Sequence, residues 1–176
     1  VHEGARLQNL TITEGNDIAF GGGIYAYGPL TLEHSTVTGN TSGNAGGMYV
    51  EEATLINSTV ANNTASSLAS GISFDFQGKL TLINSTVAHN APAPGIRPHG
   101  ATSYTPTVTL RNSIIANNGV PTNNCWYPTG FVYEGTNIAG DNTCGDATVI
   151  MLTDPKLGAL ADNGGPSMTI PFAYDS

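Results

Sequence analysis

Cleaving a sugar polymer requires two carboxylates facing each other across a groove, or a base working beside a cation. The acidic residues of this chain include Glu14, Asp17, Glu33, Glu51, Glu52, Asp75, Glu134, Asp141, Asp154 and Asp162, and they form no Asp-Asp or Asn-Thr-Asp cluster. Arg97 and His99, in Gly95-Ile-Arg-Pro-His-Gly100, are the basic pair that stands out. Their plainer reading is two exposed polar residues on a longer loop. Tyr25 and Tyr49 occupy equivalent outward positions, with Tyr27 and Phe74 or Phe76 nearby. Rings exposed in a row can bind a sugar or a partner protein, or simply pack as a ladder on a sheet. The candidate binding residues are therefore Tyr25, Tyr49, Arg97 and His99. No catalytic residue, metal site or cofactor is assigned, since no second Cys or His pair has ligand spacing.

What must position these residues is a repeat. Segments 30–40, 53–63, 80–90 and 108–118 are variants of Leu-Thr-Leu-x-Asn-Ser-Thr-Val-Ala-x-Asn, with a looser copy at 7–16 and an echo at 135–142. Their closing asparagines fall at 16, 40, 63, 90, 118 and 142, so the period stays between 23 and 28 residues. A second unit follows each copy, beginning at Gly21, Gly46, Gly71 and Gly95. Alternation within each stretch has period two, as half-buried strands require. One such coil cannot bury its own apolar face, but stacked coils can.

The pattern predicts an all-β, right-handed, single-stranded parallel β-helix of about five to six coils, each 23–28 residues long. Regular coils are expected over 1–124 and less regular ones over 125–176. The interior columns should be Leu32, Leu55, Leu82 and Leu110; Val37, Val60, Val87 and Ile115; and Ile24, Met48, Ile72 and Ile96. Asn57, Asn84 and Asn112 share one corner, and Asn40, Asn63, Asn90 and Asn118 share another. In register, their amides can hydrogen-bond along the column as structural ladders. Outward threonines fall in two columns, Thr31, Thr54, Thr81 and Thr109, and Thr11, Thr36, Thr59 and Thr86. A flat threonine array is one route to an ice-binding surface.

Charge narrows the partners. Five Lys and Arg against thirteen Asp and Glu give a net charge of −8. That balance opposes nucleic-acid binding and docking on anionic membranes. The chain also has no apolar run long enough to span a bilayer. It opens at Val1 in what reads as a working coil, as a mature or excised segment would.

The Gly21-Gly-Gly-Ile-Tyr25 and Gly46-Gly-Met-Tyr49 units resemble the glycine-rich element of polymorphic outer-membrane-protein repeats. Asn124-Cys125, the 135–144 segment, Asp154-Pro-Lys-Leu-Gly158 and Leu160-Ala-Asp-Asn-Gly-Gly-Pro166 resemble the choice-of-anchor Q and CSLREA-type secreted bacterial proteins. The resemblance implies a β-helix placed outside the cell, at the surface, with an adhesive or structural role. In an exported protein Cys125 and Cys144, 19 residues apart, are expected to form a disulfide worth about 3 kcal/mol. The expected function is a non-catalytic surface solenoid that adheres or assembles end to end. Its partners would be itself, or a surface glycan or protein. The alternatives are a polysaccharide-binding or lyase-like β-helix and an ice-binding protein.

Overall fold

The computed structural model describes residues 4–100, 105–119, 123–126, 130–145, 150–151 and 154–172. Over these residues the chain winds as a parallel β-helix of about five coils. Each strand pairs in parallel with its counterpart one coil away, so that Leu7, Leu32, Leu55, Leu82 and Leu110 follow one another in register. The first face runs through 5–8, 30–33, 53–56, 80–83, 108–111 and 131–134. The second starts at Thr11–Ile12 and continues through Thr36–Thr38, Thr59–Ala61, Thr86–Ala88 and Ile114–Ala116 to Ile138–Ala139 and Ile150–Met151. The third carries 24–26, 48–50, Ile72–Asp75 and Ile96–His99. Strand Ile24–Glu33 belongs to both third and first faces, and turns between them at Gly28, whose φ is +100°.

The interior is what period two demands. All twelve expected column residues are buried, from Leu32 at 0% exposure to Ile24 at 8%. Each such side chain contributes about 1.5–3 kcal/mol relative to leaving it in water.

Two polar ladders hold the coils in register. Both are buried, and the first is Asn40, Asn63, Asn90, Asn118 and then Asn124. Asn63 Oδ1 accepts both the backbone N–H and the side-chain Nδ2 of Asn40, at 3.0 and 2.9 Å. Its own Nδ2 donates to the Val37 carbonyl and to Asn90 Oδ1, both at 3.0 Å. Beside it runs a serine ladder through Ser35, Ser58, Ser85 and Ser113, each hydroxyl accepting the N–H of the preceding rung. Asn137 Oδ1 closes that series by accepting the Ser113 N–H at 2.9 Å. The second asparagine series is a surface feature. Asn57, Asn84 and Asn112 sit at φ values of 48°, 48° and 49°, and join side chain to side chain at 3.2 and 3.4 Å near solvent.

The ladder also explains the glycine-rich units. A Cβ at Gly23, Gly47 or Gly71 would come within 2.8, 3.1 or 3.2 Å of the amide nitrogen of the ladder asparagine, and at Gly95 within 2.6 Å of the Asn118 amide carbon. At Gly47 and Gly71 the carbonyl of the next coil's glycine is closer still, at 2.6 and 2.3 Å, so amide and backbone together take the space a side chain would need.

Two of the expected closing asparagines are not rungs. Gly15, not Asn16, donates its N–H to Asn40 Oδ1, because Asn16 pairs one residue later with Thr41. Asn142 lies in a short 3-10 turn, Asn142–Cys144, while Asn124 takes the last place. Asp141 accepts the Asn124 N–H at 3.1 Å and caps that turn through the Thr143 N–H. Cys125 and Cys144 form the expected disulfide, with both residues buried.

The last stretch corrects one of the two threonine columns, that of Thr11, Thr36, Thr59 and Thr86. Residues 154–172 return as an antiparallel hairpin, bridged at Leu157–Phe172 and Ala161–Thr169. Ile170, flanked by Leu157 and Leu160, packs on Ala61 and Ala88 of the second face. Thr36 Oγ1 donates to the Met168 carbonyl at 3.2 Å. Thr36 and Thr59 point out of the coil but are buried, so this column presents no open threonine array to ice. Residues 173–176 lie outside the described residues.

The difference between the two asparagine series is testable by denaturant unfolding. Asn90→Ala strands two buried donors of Asn63, so we expect a loss of about 2–6 kcal/mol. Asn84→Gly relieves a positive φ and loses only surface bonds, so it should stay within about 0.5 kcal/mol of the parent. Equal losses at both positions would contradict the assignment of the buried series as the one that sets register.

Candidate binding site on the aromatic face

Alternation on the third face sends Ile24, Met48, Ile72 and Ile96 inward and turns the next residue of each outward. Tyr25, Tyr49, Ser73 and Arg97 therefore form an exterior column. Two residues further on come Tyr27, Glu51, Asp75 and His99, of which Asp75 and His99 are direct strand partners.

These residues converge on one cluster. Tyr25 and Tyr49 lie 5.6 Å apart, ring centroid to ring centroid, tilted by 45°. Tyr27 meets Tyr25 edge-on at 5.0 Å and 72°. Phe20 joins from the preceding turn, 5.7 Å from Tyr25 and 4.9 Å from Tyr49. Asp17 holds that turn by accepting the N–H groups of Ala19 and Phe20 at 2.7 and 2.6 Å, which keeps its carboxyl below the usual range. The His99 imidazole stacks on Tyr49 at 4.0 Å and 28°. Phe74 and Phe76, which the sequence pattern placed near the tyrosines, are buried instead; Phe74 falls on an inward position.

The patch is open to solvent. Tyr27 is 78% exposed, Tyr25 45% and Phe20 40%, and Ile18 on the adjoining turn is 96% exposed. Hydrogen bonding to the Tyr27 hydroxyl pushes the Tyr25 phenol up to about 12, and burial raises that of Tyr49. Both phenols stay protonated at neutral pH and can donate.

Two shallow cavities share one wall here. The first, of ≈ 310 Å³, is lined by Ala26, Tyr27, Tyr49, Glu51, Asp75, His99 and Gly100. The second, of ≈ 270 Å³, lies beyond His99 and Gly100, where Arg97 stands 4.9 Å over the Trp126 ring. Tyr25, Tyr49 and His99 thus come together as candidates, while Arg97 faces the neighbouring cavity. Phe20, Glu51, Asp75 and Trp126 were not expected. The signal for Glu51 and Asp75 was the two-residue offset that each shares with His99; Trp126 and Phe20 sit in turns, where periodicity carries no information.

Ser73, Asp75 and His99 are the residue types of a hydrolytic triad, but they are arranged otherwise. Ser73 Oγ and His99 Nδ1 share a hydrogen bond of 3.0 Å. Ser73 is fully buried, so its hydroxyl is not presented to a substrate. Asp75 makes no ion pair with His99, and its Oδ1 accepts the Gln77 N–H at 2.7 Å. The serine bond fixes the imidazole against Tyr49. His99 thereby forms one wall of the cavity, stacked on Tyr49.

A family model described as the right-handed β-helix region matches residues 2–150. No curated protein and no solved structure matches the chain.

Burial lowers the His99 pKa below its ordinary value, with the Asp75 charge opposing the shift. A histidine depressed on folding favours the unfolded state once that state binds its proton. Stability should therefore rise with pH from the folded pKa up to the ordinary value near 6.5, and be flat above it. His99→Gln should remove that part of the slope in denaturation midpoints measured between pH 5 and 8. An unchanged slope would mean His99 titrates as it does unfolded.

Proposed function

This chain belongs to the right-handed β-helix family, and from that premise we propose a non-catalytic surface solenoid that acts in adhesion through its aromatic face. The observation that carries the reading is the cluster of Phe20, Tyr25, Tyr27 and Tyr49 with the fully projecting Ile18. Contiguous exposed rings cost a monomer solubility and mark contact surfaces. Aromatic side chains also dominate binding energy where they become buried. Placement outside the cell fits the buried Cys125–Cys144 bridge, because disulfides persist in oxidising compartments. The coil stack supplies rigidity, so the patch meets a partner with little conformational entropy to lose.

Surface-immobilised glycans, and cells, probed with the labelled chain provide the test. Tyr25→Ser together with Tyr27→Ser should reduce binding at least about tenfold while leaving the denaturation midpoint unchanged, since both rings are exposed. Retained binding by that variant would sink the reading. Release of sugar fragments from a bound polymer would replace it with a carbohydrate-active one, in which Glu51 and Asp75 share a cavity.

Assembly of copies is a second reading, favoured by the edge positions of Ala5–Gln8 and Thr11–Ile12 in their sheets among the described residues. Unpaired strand edges template further pairing. Sedimentation velocity over a concentration series should then show growing stacks, whereas a single monomer boundary throughout would remove this reading.

A further inference from the structure

The chemistry of the first cavity is specific enough to name a ligand class, granted that the aromatic face is the contact surface. Flat saccharide platforms need rings that share a plane. Here the ring planes diverge by 72° between Tyr25 and Tyr27 and by 45° between Tyr25 and Tyr49. They build walls, not a strip. Between those walls sit two carboxylates, Glu51 and Asp75, with Ala26 as an apolar floor. Among the described residues neither carboxylate forms an ion pair. Aromatic faces and edge carboxylates together select for positive charge, and the rings favour a cation that carries methyl groups and sheds its water readily.

The adjoining cavity supplies the complement. Arg97 lies over Trp126 and makes no hydrogen bond or ion pair among the described residues. The two cavities meet at His99 and Gly100. An acidic aromatic pocket beside a guanidinium that forms no ion pair among the described residues matches a group that carries a quaternary ammonium at one end and an anion at the other. We propose that this pair of cavities binds a phosphocholine-type headgroup, its trimethylammonium among Tyr27, Tyr49, Glu51 and Asp75 and its phosphate towards Arg97. The net charge of −8 fits a ligand led by its cation. It disfavours a polyanion.

Isothermal titration of the whole chain with choline, phosphocholine and 3,3-dimethylbutan-1-ol tests the proposal. The last is the uncharged isostere of choline. Choline should bind, and the isostere should bind at least about tenfold more weakly, as a desolvated cation–π contact implies. Tyr27→Leu and Glu51→Gln, both at exposed positions, should each weaken choline several-fold. Arg97→Gln should abolish the advantage of phosphocholine over choline and leave choline itself unchanged. A trimethyl-lysine peptide that binds better than phosphocholine would overturn the headgroup assignment. Equal binding of the isostere, or no binding of choline, would overturn the cation site altogether. If either occurs while Tyr25→Ser/Tyr27→Ser still loses surface binding, the adhesive face stands and only its ligand class falls.

Discussion

An asparagine amide that points into a coil bonds to the coils directly above and below it, with its own strand two residues back as the other acceptor within reach. Successive strands of a stack lie about 4.8 Å apart, a distance that one side-chain amide can bridge. Asn40, Asn63, Asn90 and Asn118 meet this condition with both ends of each amide, and Ser35, Ser58, Ser85 and Ser113 meet it with a hydroxyl. Other features follow from that requirement. Glycine must stand at 23, 47, 71 and 95, because the ladder amide and, at the first three, the carbonyl of the next coil's glycine fill the space a side chain would take. Coil length need not be constant, since the ladder fixes rungs and ignores what lies between them. Spacings of 23, 27 and 28 residues all close on the same hydrogen bonds.

That freedom between rungs is where the candidate site is built. The third face inherits a strict inside–outside alternation from the core and spends its outward positions on Tyr25, Tyr49, Ser73 and Arg97. Its sides are not alike in charge. Carboxylates gather around the tyrosines, and the guanidinium of Arg97 is set apart beyond His99. A chain with only five Lys and Arg has placed one of them against an indole, where it forms no ion pair among the described residues. The second face, by contrast, is covered around Thr36, Ala61 and Ala88 by the returning hairpin. The faces of the solenoid thus differ in their chemistry, with the middle of the second covered and the aromatic part of the third presented.

The coils and their core were legible in the sequence because period-two apolar residues and a recurring asparagine are both local signals. Leu55 and Leu82 announce themselves within a few residues. Which asparagine series was buried was harder to read, since both are the same residue type. His34 held the clue: it takes the first corner at φ 45°, so that corner accepts other side chains and cannot be the one that sets register. The cover on Thr36 and Thr59 was invisible, because Met168 and Ile170 lie more than a hundred residues away and obey no repeat. The same holds for Phe20 and Trp126, whose turns place them by tertiary contact. Repetition encodes what is repeated, and the site is assembled from the departures.

The cross-link between Cys125 and Cys144 has a mechanical meaning. Strands here run across the column, so a pull along the axis loads one coil at a time and peels it away. Each coil freed would lengthen the chain by roughly 75–100 Å, at ~3.3–3.6 Å per residue. Tension that reaches Cys144 along the chain passes to Cys125 through the covalent bridge without extending the 19-residue interval between them. Asn124, the last rung, sits immediately beside that bridge. The bridge therefore withholds that interval from extension and delivers the load directly to the last rung of the ladder.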